Sequence, residues 1–187
     1  MTEEIQKCVD LLLAGKIILY PTDTVWGIGC DATNEAAVRR VFDLKQRQES
    51  KSMLVLLDRM DKVPLYVERI PLIAWDLVPN TDRPTTFIYP TAKNLPANMV
   101  PHDGTIAIRI VHEGFCSKLI HALDRPLVST SANISGTPSP ATFSEIAPAI
   151  RDRVDYCVPE EFSDSTDFKP SRIIKFIDDY NFTIIRE

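Results

Sequence analysis

Apolar positions recur along this chain at two periods, and each change of period marks a new element. Ile5, Cys8, Val9 and Leu12 fall at helical spacing, and Gly15 supplies a stop, so a first helix is expected. Lys16-Ile17-Ile18-Leu19-Tyr20 is a short strand-like run ended by Pro21, which cannot donate to a sheet ladder. Asn34 can cap a second helix through Ala36, Val38, Val41, Phe42 and Leu44, which places Lys45 and Arg47 in or just beyond its last turn. Ser52 to Leu57 reads as a buried strand, and Ile70 to Val78 as a short helix bracketed by Pro71 and Pro79. Thr85 to Tyr89 and Thr105 to Val111 are further strands. In the latter, Ile106, Ile108 and Ile110 share one face, leaving Arg109 on the other among mostly small neighbours. Phe115, Leu119, Ile120 and Leu123 make another helical stripe, followed by the strand Pro126 to Thr130. Thr142 and Glu145 form a capping-box pattern opening a helix toward Ile150. Val154 to Val158 reads as a strand, and Arg172 to Ile177 with Phe182 to Arg186 as a hairpin around Asp178-Asp179-Tyr180-Asn181. Strands and helices mixed without strict alternation predict one α/β domain, residues 1–187, built on a mixed, twisted sheet.

Composition narrows the setting. With 187 residues the chain can bury a core without a metal or disulfide staple, and 44% apolar with 25% charged residues suits a globular protein. The acidic Met1-Thr2-Glu3-Glu4 start lacks the order of a secretory signal, and no apolar run is long enough to cross a bilayer, so a cytoplasmic location without membrane contact is expected. Cys8, Cys30, Cys116 and Cys157 are scattered, which predicts free thiols and argues against zinc. The net charge of −5 disfavours a surface built wholly for nucleic acid. Arg39 to Lys51 nevertheless holds five cations against Asp43 and Glu49, which suits a small anionic ligand.

Chemistry concentrates in three clusters: Pro21-Thr22-Asp23-Thr24-Val25-Trp26-Gly27, Lys45-Gln46-Arg47, and Ser129-Thr130-Ser131-Ala132-Asn133. The chain has six glycines and neither a P-loop nor a G-x-G-x-x-G element, so any phosphate must be held by side chains. A guanidinium offers forked bonds, an ammonium a point charge, and hydroxyls and amides the rest. Lys45, Arg47, Ser131 and Asn133 supply these types. The bland alternatives are a solvated helix end for the first pair and a turn sequence for Ser129 to Asn133.

These clusters, with Thr105-Ile106-Ala107-Ile108-Arg109 and Ile134-Ser135-Gly136, occur in the order found in the YrdC-like threonylcarbamoyl-AMP synthases, and the chain resembles that family from about residue 5 onward. The resemblance implies a single YrdC-like domain with an open sheet flanked by helices. It implies that L-threonine, bicarbonate and ATP become threonylcarbamoyl-AMP and pyrophosphate, feeding the threonylcarbamoyl-adenosine modification of tRNA. By carry-over, Lys45, Arg47, Ser131 and Asn133 are the catalytic set and, with Ser129, the ATP-binding residues. Thr22, Thr24, Arg109 and Ser171 are threonine-site candidates. Mg²⁺ is expected to accompany ATP without a dedicated protein site, and tRNA and downstream threonylcarbamoyl-transferase proteins are candidate partners. A carbamate oxygen can attack the α-phosphorus without a protein nucleophile, so His102, His112 and His121 are expected to be surface or structural residues.

The chain departs from the family pattern in two places. Gln48-Glu49-Ser50-Lys51 follows the K-x-R pair where proline is usual, and Asn80-Thr81-Asp82-Arg83-Pro84-Thr85-Thr86 replaces a W-P-G-P stretch. A YciO-like protein sharing the fold, or an RNA-binding module, are the competing readings, and residues 159 to 170 are the candidate lid.

Overall fold

A computed structural model describes residues 1–46, 53–140, 142–163 and 169–187. Nine strands form one open mixed sheet among the described residues. In chain order they are β1 (Ile18–Tyr20), β2 (Gly27–Gly29), β3 (Leu54–Leu57), β4 (Thr85–Tyr89), β5 (Ile106–Ile110), β6 (Leu127–Ser131), β7 (Tyr156–Cys157), β8 (Arg172–Phe176) and β9 (Phe182–Arg186). Their spatial order is β7-β1-β2-β6-β3-β5-β4-β8-β9. Pairs β1·β7, β3·β5 and β4·β8 are parallel and the others antiparallel, which makes the sheet mixed as the sequence predicts.

The helices are α1 (Thr2–Leu13), α2 (Glu35–Lys45), α3 (Ala74–Leu77), α4 (Gly114–Leu123) and α5 (Pro148–Arg151). The α2 N-terminus forms as its sequence dictates, with the Asn34 side chain accepting from Ala37 N–H. At its other end Gln46 takes a left-handed conformation, φ 51°, and turns the chain away.

Strand alternation divides the interior in two. Cys8, Val9 and Leu12 of α1 and Phe115, Leu119, Ile120 and Leu123 of α4 pack on Ile18, Tyr20, Leu56 and Leu127. Residues one position along the same strands, Leu19, Val55, Leu57 and Val128, join α2, Phe87, Tyr89, Ile106, Ile108 and Phe176 in the larger core on the opposite face. Glycine is required where β1, β2 and β6 approach. A Cβ on Gly29 would lie 2.5 Å from the Val128 carbonyl oxygen and 2.6 Å from Tyr20 Cε1.

Several elements differ from expectation. The helix expected over Ile70 to Val78 is one turn, Ala74–Leu77, because residues 72–73 and 78–80 form turns on either side of it. Thr142 makes no capping bond. The chain takes a single 3-10 turn at Phe143–Glu145 and restarts as a helix at Pro148, whose missing N–H interrupts the ladder. β2 is a strand that the sequence reading did not include, and the strand expected from Val154 to Val158 is two residues, Tyr156–Cys157. Ser52 and Arg47 lie outside the described residues, as do 164–168 of the expected lid; within it, Phe162 packs on Phe115 with ring centroids 5.5 Å apart. The four cysteines are free, with Cys8, Cys30 and Cys116 buried.

Candidate functional site

The sheet face that carries α1 and α4 is covered only in part. Beyond the helices it presents a different set of side chains: Leu54 from β3, Thr86 and Ile88 from β4, Ala107 and Arg109 from β5, Ser129 and Ser131 from β6, and Ile173 from β8. With Thr22, Thr24, Trp26, Ser171 and Arg186 these line a cavity of about 340 Å³. The same alternation that buries Ile106, Ile108 and Ile110 therefore turns Arg109 into this cleft. A second cavity, about 690 Å³, adjoins it at Thr22 and is lined by Asp23, Arg83, Thr85, His112, Lys118 and the start of α4 among others.

One wall is a closed polar network. Lys45 is 1% exposed, and its ammonium donates to the Ser131 carbonyl, to the Asn133 carbonyl at 2.7 Å and to Asn133 Oδ1 at 3.4 Å. Ser131 Oγ donates to that same Oδ1, while Asn133 Nδ2 donates to the carbonyls of Ile134 and Thr137. Ser135 N–H donates to the Lys45 carbonyl at 3.0 Å, which ties the helix end to the loop. A buried ammonium is tolerable because oxygens surround it, and here they come from the β6 loop. The structure thus brings Lys45, Ser131 and Asn133 together across a long sequence gap. Ser131 and Ser129 line the cleft, and the Lys45 ammonium is directed at the loop behind them.

The opposite wall carries the other cations. Arg109 is 3% exposed and its Nη2 donates to Asp23 Oδ1 at 2.9 Å, while its Nε is buried without a hydrogen-bond partner. Arg186 donates from Nε and Nη2 to the Ser171 carbonyl at 3.1 and 2.7 Å. Its guanidinium is held below its usual pKa by burial and by the charge of Arg109 nearby. The Ser171 hydroxyl lies 2.8 Å from that of Thr86. At the rim, Thr22 Oγ1 donates to the Val25 carbonyl at 2.7 Å and accepts from Thr24 N–H at 3.1 Å, which folds the segment after β1 into a tight turn. Thr22 and Thr24 are both nearly fully buried.

Sequence reasoning missed Arg186 and Thr86. The only signal was an arginine at the end of an apolar strand, and a register irregularity at Ile173/Ile174 decides which way Arg186 faces. His121 is a surface residue, its Nδ1 3.0 Å from Asp58 Oδ2. Among the described residues no group of three His, Cys, Asp or Glu side chains is arranged to hold a metal, and no helix is long and apolar enough to cross a membrane.

Such a face, with hydroxyls facing two arginines, suits a ligand bearing negative groups. Comparison with known proteins gives the family. Residues 10–187 match the family model Sua5_yciO_yrdC, described by the words "Telomere recombination". A threonylcarbamoyl-AMP synthase of Pseudoalteromonas translucida is 33% identical over 172 residues, 90% of this chain and 91% of that protein. One from Xanthomonas oryzae is 34% identical over 84% of this chain and 86% of its own. Among solved structures, P. abyssi Sua5 complexed with L-threonine superimposes with a TM-score of 0.86 at 25% identity, covering 97% of this chain. The chain spans about half the length of that protein, 53%. E. coli YciO, at 22% identity and a TM-score of 0.84 over 100% of this chain and 90% of its own, shares the fold.

Proposed function

The chain belongs to the Sua5–YciO–YrdC family, and on that premise we propose how its cleft carries out threonylcarbamoyl-AMP synthesis, the function its curated relatives are named for. The protein is an enzyme, a nucleotidyltransferase acting in tRNA modification. In our reading L-threonine lies on the Arg109 wall, its carboxylate on that guanidinium and its hydroxyl among Thr22, Thr24 and Ser171. ATP lies toward the β6 wall, with Ser129, Ser131 and Asn133 shaping its phosphate site and Arg47, beyond the described residues, adding a second cation to Lys45. Bicarbonate supplies the carbon dioxide that the amine captures as a carbamate.

The observation that carries this reading is one sheet face that sets Arg109 and Arg186 across from the hydroxyls of Ser129 and Ser131, whose loop the buried Lys45 ammonium braces from behind. Two anions that repel in water, a carbamate and a triphosphate, must be aligned at bonding distance, and fixed cations and hydroxyl donors do this without reorganising. A carbamate oxygen is already a nucleophile, so these residues need only orient and neutralise. We expect Mg²⁺ to be carried in on the triphosphate, where it would keep several waters and neutralise phosphate charge. The adenylate product would then pass to threonylcarbamoyl-transferase proteins acting on tRNA in the cytoplasm.

Pyrophosphate release by the purified protein tests the reading. Release requires ATP, threonine and bicarbonate together. Release without threonine, or none with all three present, overturns it.

A further inference from the structure

Asp23 stands at the partition between the two cavities. It is part of the lining of the 690 Å³ cavity, while its partner Arg109 belongs to the 340 Å³ one. Oδ1 accepts from Arg109 Nη2 at 2.9 Å, and among the described residues no hydrogen bond reaches Oδ2. The carboxylate is not sealed: its side chain is 18% exposed against 3% for Arg109. Arg186 lines the same cleft as Arg109, so two guanidinium groups stand there against the one carboxylate that pairs with Arg109. One further carboxylate balances that charge. An α-amino acid brings a carboxylate and an ammonium on the same carbon, and Arg109 and Asp23 present the complementary charges side by side. A carboxylic acid without the ammonium would leave Oδ2 facing its polar group with no charge to pair.

We propose that Asp23 is a specificity-determining residue, accepting the α-ammonium of the amino-acid substrate at Oδ2 while Arg109, held by Oδ1, takes the substrate carboxylate. This rests on the reading that the cleft binds threonine. It gives Asp23 a role in recognition, separate from any exchange of protons.

Calorimetric titration of the full chain tests it, with L-threonine and with 2,3-dihydroxybutanoate of the same configuration, which has a hydroxyl in place of the ammonium. Wild type should prefer threonine by about 10- to 100-fold, the range of a hydrogen bond to a charged group. Asp23→Asn should weaken threonine by a similar factor yet leave the hydroxy acid equal or tighter, because a repelling charge has gone. Hydroxy-acid binding then also shows that the variant is folded. If both ligands weaken alike, if the preference is unchanged, or if wild type binds the two within about threefold, the proposal is overturned. Should Asp23→Asn not fold, Asp23→Glu decides. Moving the carboxylate by one methylene should shift the threonine preference by at least about fivefold, and an unchanged preference overturns the assignment. Arg109→Lys separates the identity of the cleft from the role of Asp23. If it weakens neither acid, the cleft is not the threonine site and this proposal goes with it; if it weakens both while Asp23→Asn keeps the preference, only the role of Asp23 is lost.

Discussion

The ammonium of Lys45, at the end of α2, donates to the carbonyl oxygen of Asn133, in the loop after β6, at 2.7 Å. The cation therefore builds the wall it belongs to. Lys45→Ala would leave the part-buried Asn133 carbonyl without its donor and the Ser131 carbonyl with only the Asn133 N–H, at a cost of about 1–3 kcal/mol in stability, as well as removing charge from behind the phosphate site. We expect turnover to fall by about 10²-fold and the thermal transition to drop together. Lys45→Arg should not rescue either, since a planar fork cannot occupy the space of a compact ammonium. Pyrophosphate release and a thermal melt on the same preparations check this.

Arg186 holds the Ser171 carbonyl through two bonds and lies close to Arg109. Arg186→Gln removes a positive charge from the cleft and one of the two donors to that carbonyl. The expected result is a loss of about tenfold in kcat/KM with the fold intact, and a steady-state titration of threonine and ATP separately shows which substrate is affected. Unchanged values for both would mean that Arg186 only braces the segment before β8.

At Gly29, a methyl group meets backbone oxygen and an immobile ring. Tyr20 cannot yield, because it is fully buried and its hydroxyl donates to the Val128 carbonyl at 3.2 Å. Gly29→Ala should cost about 1–3 kcal/mol or more through overpacking. Gly27→Ala is milder, its Cβ meeting Thr22 Cγ2 at 3.1 Å and Ser129 Oγ at 3.2 Å. It should perturb the cleft more than the fold. Urea denaturation and activity measured side by side distinguish the two variants.

Asp155 fastens three elements, accepting from Ile17 N–H at 2.7 Å and from Arg40 at 2.9 Å. Burial alone would raise its carboxyl, but the bonds from Ile17 and Arg40 outweigh that and hold it below the usual carboxylate range. A depressed folded pKa contributes stability above the unfolded value, about 3.9, and that contribution is lost as pH falls through the folded value. Asp155→Asn should thus be less stable than wild type at neutral pH and converge with it in acid. Melts between about pH 7 and pH 3 test this, and parallel curves over that range would contradict it.

Much of this was legible from local pattern. Arg109 could be placed on the face opposite Ile106, Ile108 and Ile110 from alternation alone, and Asn34 caps α2 as its identity requires. What escaped depends on long-range register. Lys45 could be picked out in sequence as a candidate phosphate ligand with a solvated helix end as the alternative, but its burial among oxygens depends on the left-handed turn at Gln46 and on the β6 loop. Arg186 faces the cleft because of the irregularity opposite Ile173, which no periodicity in Phe182 to Arg186 encodes. The Thr142 capping pattern misled because a capping box states where a helix can begin, and Pro148 limits how far this one runs.

The sheet order β7-β1-β2-β6-β3-β5-β4-β8-β9 sets the schedule on which this protein can come into being. β2 pairs with β6, and β4 with β8, across long intervening stretches, so no early part of a nascent chain holds even half of the cleft. Chains dominated by such distant pairings fold slowly, since loop closure must precede any reward. On the ribosome, Thr22 and Lys45 must wait for Ser131, and the opposing wall waits for Arg186. Ligand capacity should consequently arise in one late step during synthesis, instead of growing with chain length.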